Sequence, residues 1–451
     1  MDKISKKNKM IKVIKKLIEK KNIDGYLVSK NDNYFTEYSN RSNLELVTNF
    51  SGSAGFALIL KNKNYLFVDG RYTLQAKKQS GEKFDIIEIP YFWPKDLFKK
   101  IKRKINIGYD PNLFTYNILK KYFGDTCNLT PINTKLFENS NVKKIVNISP
   151  FFVLKDKVSG EKTTSKINKV LKLLKKKRIN NIFVSAGENV CWLLNIRGKD
   201  LPNSPVANCR IILTQDKRIY FFSPKNKIQK IKNKFKNIKI SFHEENEIFE
   251  IIDSLRGKNF CIDGQTCSIF FEELINTKFK IIVRFDPIYN LKSIKNKIEI
   301  KNMIKSHIED GIALTKFLYW IKNIKLQNIS ELSVEKKLEN FRKQNKNYLY
   351  PSFSTIAGSG PNGAIIHYRS NKSSNRKLQY KDLLLVDSGG QYKWGTTDVT
   401  RTVSFSNAPR KIKEIFTRVL KGHIAVYKAN INKMATGHNI DKEARKYLNS
   451  V

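Results

Sequence analysis

The spacing of apolar residues near the N-terminus is typical of an amphipathic helix. Isoleucine and leucine recur at intervals of three and four at Ile11, Ile14, Leu17 and Ile18. Short apolar runs bounded by polar or glycine residues follow, at 25–29, 55–60 and 65–69, and such runs favour buried strands. The first part of the chain therefore predicts a mixed helix-and-strand domain, which we place at residues 1–154.

The pattern restarts after residue 155. A lysine-rich segment with helical spacing predicts a helix near 163–177, and it is followed by a predicted strand at 181–185 and a helix through 191–194. This second helix-and-strand series predicts a second domain at 155–292.

A third region begins near residue 293 with a long predicted amphipathic helix. Its apolar positions are Ile300, Ile304, Ile308, Leu314, Leu318 and Ile321. A shorter helix is predicted at about 333–344 and a last one at about 411–429, with strand-like segments between them around Phe353, Ile365, Leu384 and Val403. We assign this region, 293–451, to a third domain, and the lack of a repeat of 20–50 residues argues against a solenoid or a propeller.

Composition places the chain among globular proteins with a large positive net charge. Hydrophobic residues make up 40% and charged residues 28%, which excludes disordered and fibrous classes. The 85 Lys and Arg against 40 Asp and Glu give +45, a balance that predicts attraction to polyanions. The lysines are spread along the whole chain together with many asparagines and isoleucines, which A/T-rich codons would produce, so we expect no specific nucleic-acid partner.

The cysteines and the absence of long apolar runs indicate a reducing compartment. Five cysteines occur without a CxxC pair, so neither a zinc ribbon nor a disulfide framework is indicated. No signal-peptide core is visible in the first 25 residues, and no apolar run reaches the roughly 18–20 residues of a membrane span. The sequence predicts a cytoplasmic protein with no membrane partner.

Two aspartates border a turn-rich segment in the third region. Asp387 ends the apolar run 383–386, and Asp398 begins the run 399–405. If the runs form adjacent antiparallel strands, both carboxylates converge at one sheet edge, where oxygen ligands suit a divalent metal. By themselves, aspartates at strand ends more often make local hydrogen bonds.

A histidine and a glycine-rich segment lie just before these aspartates. His367 falls in the segment 362–369, which we interpret as an alternating strand, so this histidine is either a satisfied core residue or a site residue. The preceding 358–363 fits GxGxxG, but Pro361 interrupts it, and a strand-like run follows where a dinucleotide site requires a helix. We therefore predict a tight turn there.

Arg71 follows a strand-like run in the sequence Asp69-Gly-Arg-Tyr72. An arginine at a strand exit is commonly solvated. Alternatively, its planar set of donors binds a peptide carboxylate or carbonyl oxygen.

Taken together, these motifs resemble the three-domain cytosolic Xaa-Pro aminopeptidases (aminopeptidase P) of the creatinase/prolidase "pita-bread" metallopeptidases. The matching segments follow the family's order along essentially the whole chain. They are 50–55 (FSGSAG), 68–72 (VDGRY), 192–198 (WLLNIRG), 360–368 (GPNGAIIHY), 386–392 (VDSGGQY), 395–402 (GTTDVTRT) and 420–426 (LKGHIAV).

The resemblance implies an α/β (α+β) protein with two creatinase-N-terminal-type α/β domains before a pita-bread catalytic domain. It implies hydrolysis of peptides with proline in second position, by two divalent ions of the Mn²⁺ class that share a bridging hydroxide. Asp387 and Asp398 match two of five metal ligands, with Asp398 in the bridging position. His367 matches a catalytic histidine that contacts substrate near the scissile bond, Arg71 matches a peptide-binding arginine, and a homodimer is implied.

One departure from the family affects the expected activity. Beyond residue 445 the family continues into a histidine-containing element and two glutamates that supply the other three ligands, whereas this sequence ends at residue 451. We therefore expect an incomplete catalytic domain, no two-metal site in the chain as written, and exposed apolar surface. Two alternatives follow, namely a non-catalytic paralogue for peptide binding or dimerisation, and a polyanion-binding protein recognisable by steep salt dependence.

Overall fold

The first part of the protein is a six-stranded mixed sheet with helices on both faces. The computed structural model describes residues 2–36, 42–99, 101, 103–133, 136–137, 149–430, 432 and 436–450. The elements of this part are α1 (Asp2–Lys20), β1 (Gly25–Ser29), α2 (Asn43–Thr48), β2 (Phe56–Leu60), β3 (Asn64–Asp69), α3 (Thr73–Ser80), β4 (Asp85–Ile89), α4 (Pro94–Phe98), β5 (Ile105–Tyr109), α5 (Tyr116–Phe123) and β6 (Cys127–Pro131).

The first sheet has the order β4-β3-β2-β1-β5-β6. β2 is antiparallel to β1 and β3, and the outer pairs β3–β4, β1–β5 and β5–β6 are parallel. All five residues of β1 are buried, as expected for a central strand covered on both faces. One apolar cluster joins α1 and α2 to the sheet and another joins α4 and α5 to its opposite face.

The second part has its own helices and strands between residues 152 and 293. They are β7 (Phe152–Val153), α6 (Asp156–Ser159), α7 (Thr163–Lys176), β8 (Asn181–Val184), α8 (Gly187–Leu194), β9 (Ile196–Arg197), β10 (Arg210–Thr214), β11 (Ile219–Phe222), α9 (Lys225–Ile228), β12 (Ile240–His243), α10 (Ile248–Ser254), β13 (Asn259–Ile262), α11 (Ile269–Asn276), β14 (Lys280–Val283) and α12 (Pro287–Ser293). Short 3₁₀ turns occupy Lys232–Lys234 and Glu245–Glu247.

The second sheet repeats the topology of the first. Its order is β12-β11-β10-β8-β13-β14, with β10 antiparallel to β8 and β11 and with parallel outer pairs. Position by position, β8 takes the place of β1 and β11 the place of β3. The two N-terminal parts therefore share one sheet topology.

The third part begins with two long helices and adds short antiparallel strands. Its elements are α13 (Lys297–Asn323), α14 (Glu331–Lys343), β15 (Tyr348–Pro351), β16 (Ile356–Ser359), a 3₁₀ helix (Gly360–Ala364), β17 (Leu383–Ser388), β18 (Gly390–Tyr392), β19 (Val399–Ser404), α15 (Arg410–Lys428) and α16 (Gly437–Arg445). One sheet has the order β16-β17-β19, and β15 pairs with β18. An apolar cluster from α13, α14 and the three-stranded sheet forms its core.

Most of the elements predicted from periodicity are confirmed, including α7, β8, α13, α14 and α15. Two strand-like segments are not strands. The segment around Ile365 is a 3₁₀ helix followed by a turn, and Phe353 lies in the connection between β15 and β16. Pro361 removes a backbone donor and Gly360 has a φ of 54°, and both features favour a turn over an extended strand.

The three parts contact one another through polar side chains that are buried or half-buried. Arg210 of β10 is buried, stacks on Tyr34 of the first part at 4.1 Å, and donates to the Asn33 carbonyl oxygen and to Glu245. Asn302 of α13 donates to the Val158 carbonyl oxygen at 3.0 Å. The Gln391 side chain donates to the Asn203 carbonyl oxygen at 2.9 Å.

One face of α15 carries large apolar side chains in contact with solvent. The exposed residues are Ile415, Phe416, Val419, Leu420, Ile424 and Tyr427. The predicted exposed apolar surface is therefore present. The five cysteines are unpaired and buried, and within the described residues no helix combines the length and apolarity needed to cross a bilayer.

Candidate active site

The two candidate metal ligands lie at the same end of the antiparallel pair β17 and β19. Leu384, Val386 and Ser388 of β17 are buried, so the alternation of the strand places Asp387 on the opposite face. Asp387 lies opposite Thr400 in the register, and Thr400 Oγ1 donates to Asp387 Oδ1 at 2.8 Å. The intervening segment contains β18 and reverses the chain, which returns Asp398 to the start of β19.

The carboxyl group of Asp387 lies close enough to that of Asp398 to raise the pKa of Asp398. Partial burial of Asp398 raises its pKa, and the negative charge of Asp387 and the hydrogen bond between the two acids raise it further, whereas His307 on α13 opposes the shift. Two acids in contact cannot both ionise freely without a cation. The antiparallel pairing of the two strands, on which the predicted convergence depends, is present.

Buried polar contacts fix the hairpin that carries Asp387. The Arg342 side chain of α14 is fully buried and donates to both Asp310 oxygens, at 2.7 and 3.1 Å, and to Ser388 Oγ at 3.1 Å. Tyr392 Oη also donates to Asp310, at 2.8 Å. This network holds the residue after Asp387 and one end of β18 on the two long helices.

The donor set of the two aspartates fits part of a divalent metal site. Carboxylate oxygens suit Mn²⁺ and Mg²⁺, and a doubly charged ion would remove the repulsion between the acids. Over the described ranges, no group of three or more His, Cys, Asp and Glu side chains is arranged to hold a metal ion. Asp387 and Asp398 thus remain the two candidate ligands that the sequence predicts.

His367 lies in the turn after the 3₁₀ helix, and its backbone adopts a φ of 56°. Our interpretation of this segment as an alternating strand is therefore wrong. The ring is half-buried, and its Nδ1 atom lies 2.6 Å from Tyr72 Oη of the first part of the chain. A left-handed backbone is costly for a non-glycine residue, so surrounding contacts must maintain this turn.

Glu331 supplies those contacts from the first turn of α14. Its side chain is fully buried and accepts hydrogen bonds from the Ser359 backbone N–H at 2.8 Å and from Asn362 Nδ2 at 2.9 Å. It also accepts from Tyr368 Oη at 2.8 Å and from the Arg376 backbone N–H at 3.0 Å. One carboxylate thereby anchors both sides of the turn that carries His367.

Arg71 lies beside the same turn at the exit of β3. Its guanidinium group forms a two-point ion pair with Asp69, with Nε at 2.9 Å from Oδ1 and Nη2 at 2.8 Å from Oδ2. This hydrogen bonding lowers the pKa of Asp69, and the nearby His367 lowers it further. The neighbouring residue, Tyr72, contacts His367, so the first part of the chain reaches the third at this point.

The structure therefore brings the four predicted site residues together as two pairs. Asp387 lies beside Asp398 and accepts a hydrogen bond from Thr400, whereas His367 and Arg71 meet through Tyr72 and Asp69. Sequence reasoning missed Glu331 and Tyr72. For Glu331 a signal exists, since a glutamate directly after Ser330 begins a helix, but only the fold reveals that it is buried.

Comparison with known proteins gives a match along nearly the whole chain. Residues 10–137 and 143–299 match the creatinase/prolidase N-terminal domain, and residues 301–451 match metallopeptidase family M24. The probable Xaa-Pro aminopeptidase P of Laccaria bicolor is 33% identical and aligns over 96% of this chain and 70% of its own length. The chain belongs to the Xaa-Pro aminopeptidase family. A Drosophila melanogaster Xaa-Pro aminopeptidase is also 33% identical, over 94% of this chain and 72% of its own.

A solved Xaa-Pro aminopeptidase structure has the same fold. The X-prolyl aminopeptidase of Caenorhabditis elegans, described as a cytosolic enzyme with a di-nuclear active site, superposes with a TM-score of 0.88 at 26% identity. The match covers 99% of this chain and 77% of that one. The resemblance stated from the motifs, the fold class and the metallopeptidase class are confirmed. The domain limits, the roles of the four site residues and the lack of further ligands stay predictions.

Proposed function

We propose that this protein acts on peptides with proline in second position, as a metal-dependent Xaa-Pro aminopeptidase. The contact between Asp387 and Asp398 carries the proposal. The two carboxyl groups are hard oxygen donors that repel each other when both are ionised. They lie at one end of the sheet, in a domain that matches family M24. Asp387 and Asp398 would help to hold two divalent ions of the Mn²⁺ class there.

The residues of the chain would divide the work around that centre. Bound ions supply a nucleophile at neutral pH and polarise the scissile carbonyl. Asp387 is oriented by Thr400, and the ring of His367 contacts the peptide near the scissile bond. Arg71 binds the peptide through its guanidinium donors, and its ion pair with Asp69 fixes the plane of that group.

The preference for proline has a chemical reason. Proline lacks an amide N–H and has a fixed φ, so a site that grips the N–H of the second residue does not recognise it. An apolar pocket for the ring supplies selectivity instead.

A second candidate is a non-catalytic peptide-binding member of the family. It is favoured by the observation that the described residues supply only the aspartate pair and no larger cluster of metal-ligating side chains. Under this candidate the chain binds Xaa-Pro peptides and does not hydrolyse them.

One set of measurements separates the two candidates. We would add Mn²⁺ to the metal-free protein, count bound ions by mass spectrometry of the metal, and assay Ala-Pro-Pro against Ala-Ala-Pro. Two ions per chain and cleavage of Ala-Pro-Pro alone support the aminopeptidase. Binding of the peptide without cleavage supports the second candidate, and no binding contradicts both.

Two variants assign the result to the aspartate pair. Asp398→Asn should lower metal affinity by at least tenfold and abolish any cleavage, because the site loses one of two anionic ligands. Asp441→Asn is the matched control, since Asp441 lies on α16 in an exposed ion pair with Arg445. Equal metal affinity in both variants would contradict the proposed ligand role.

The proposed partners and compartment follow from the family. A homodimer is proposed and would be tested by sedimentation equilibrium of the whole chain, where a concentration-independent monomer contradicts it. A cytoplasmic location is proposed because the C. elegans relative is described as cytosolic. Fractionation of cells that express the tagged chain would test it.

A further inference from the structure

A chain of three side chains connects the first part of the protein to His367. Ser53 Oγ lies 2.7 Å from Tyr72 Oη, which lies 2.6 Å from His367 Nδ1. Ser53 precedes β2 and Tyr72 follows β3. Because these strands are antiparallel, the start of one and the end of the other lie at the same edge of the sheet.

The position of the Tyr72 hydroxyl is fixed by a buried ring. Tyr72 is 1% exposed, and its ring meets Phe50 edge-on, with centroids 5.5 Å apart at 82°. The Arg71 guanidinium group covers the ring at 5.1 Å. The tyrosine therefore presents its hydroxyl to the third part of the chain from a rigid base.

His367 meets this hydroxyl from a turn that is equally constrained. The buried Glu331 carboxylate holds the neighbouring Tyr368 and both arms of the turn. With both partners fixed, the contact at Nδ1 is set by the fold, and the opposite ring nitrogen, Nε2, points away from Tyr72.

The protons of this chain can be placed by counting donors. A neutral imidazole has one N–H and one acceptor nitrogen, and each hydroxyl has one proton. If Ser53 donates to Tyr72 and Tyr72 donates to Nδ1, both hydroxyl protons are used and the ring keeps its proton on Nε2. In the reverse order the Ser53 proton lies outside the chain of hydrogen bonds.

We propose that Tyr72, supported by Ser53, is a positioning residue that holds His367 in the Nε2–H tautomer. The first domain would thereby determine which ring nitrogen donates to the peptide. This inference rests on the proposed contact of His367 with substrate. It adds that the motifs at 50–55 and 68–72 act on the site through His367, beyond the peptide contact of Arg71.

The tautomer can be measured by side-chain ¹⁵N NMR of the whole chain labelled at histidine, without metal or peptide, at a pH where the His367 ring is neutral. Only five histidines are present, and His367→Asn identifies the signal. We expect a protonated Nε2 and an unprotonated Nδ1. In Tyr72→Phe the ratio of the Nε2–H tautomer to the Nδ1–H tautomer should fall about three- to tenfold, as expected for the loss of one net hydrogen bond.

Further variants control for indirect effects. Ser53→Ala should shift the ratio in the same direction by a smaller factor, and it keeps the test open if Tyr72→Phe does not fold. Tyr65→Phe removes another tyrosine hydroxyl of the same sheet and should leave His367 unchanged. A protonated Nδ1 in the unmodified protein, or no change in either Tyr72→Phe or Ser53→Ala, would overturn the proposal.

The result is independent of the proposed function. If the unmodified protein has the expected tautomer but does not bind the peptide, the proposed function alone is contradicted. Peptide binding with the opposite tautomer would contradict the positioning role alone.

Discussion

At the scale of single residues, Glu331 shows how one buried charge organises a functional turn. Its carboxylate accepts hydrogen bonds from four residues on either side of His367 and is fully removed from solvent. A buried carboxylate without such partners would be strongly unfavourable. The same partners that satisfy its charge therefore impose the shape of the turn.

Glu331→Gln tests this role. A glutamine offers one acceptor oxygen, and its amide nitrogen would face backbone and side-chain donors, so about 2–4 kcal/mol of stability should be lost. Urea denaturation measures the loss. The control is Glu335→Gln, one helical turn later, where a half-buried carboxylate accepts from Ser370; an equally small effect of both variants would contradict the role.

The burial of Asp286 predicts that the stability of the fold depends on pH. It caps α12 by accepting from the Ile288 backbone N–H at 2.9 Å, and burial raises its pKa from the ordinary 3.8 to about 6. The folded state therefore binds the proton more tightly than the unfolded state, so this group's contribution to stability falls as pH rises from about 3.8 to 6.

Asp286→Asn removes this titration. The stability of the variant minus that of the unmodified protein should rise between about pH 4 and pH 7, by up to about 3 kcal/mol. Urea titrations of both proteins at several pH values measure this difference, whose slope is independent of any constant cost of the substitution. A stability difference that does not change with pH would contradict the prediction.

At the scale of elements, close helix packing distinguishes two glycines. In α15, a Cβ atom on Gly422 would lie 2.2 Å from the Ala444 carbonyl oxygen of α16. In α13, a Cβ atom on Gly311 would meet no described atom within 4 Å. A side chain is therefore excluded by packing at Gly422 and has free space at Gly311.

Alanine substitutions should therefore have opposite effects. Gly311→Ala should stabilise the chain by about 0.5–1 kcal/mol, because alanine loses less backbone entropy in a helix. Gly422→Ala should displace α16, which would appear as faster hydrogen exchange in residues 437–446. Unchanged exchange in that helix would show that α16 does not depend on this close approach.

The sequence predicted elements better than it predicted the turn of the site. Helices such as α7 and α14 have regular apolar spacing that packing reinforces. The turn at His367 has no such period, since its shape depends on Gly360, Pro361 and the distant Glu331. The convergence of Asp387 and Asp398 was predictable because two apolar runs with a reversing segment between them form an antiparallel pair.

At the scale of the whole molecule, the net charge of +45 is a destabilising term. Like charges repel more in the compact state than in the extended one, and salt screens this repulsion, with a Debye length of about 10 Å at 0.1 M. Added sodium chloride should therefore stabilise the fold.

The thermal midpoint should rise when sodium chloride increases from 20 to 300 mM. Scanning calorimetry measures it, and sucrose at matched osmolality provides a comparison without screening. A midpoint that falls or stays constant with salt would mean that local ion pairs, such as the buried Arg342–Asp310 pair, outweigh the global repulsion.

The hydrogen bond between Tyr72 and His367 joins residues 295 positions apart. At a synthesis rate of roughly 5–20 residues per second, about 15 to 60 seconds separate the emergence of the two partners from the ribosome. The first domain can complete its sheet during that interval, whereas the turn around His367 must form later. A nascent chain thus holds a finished docking surface for the histidine well before the histidine exists.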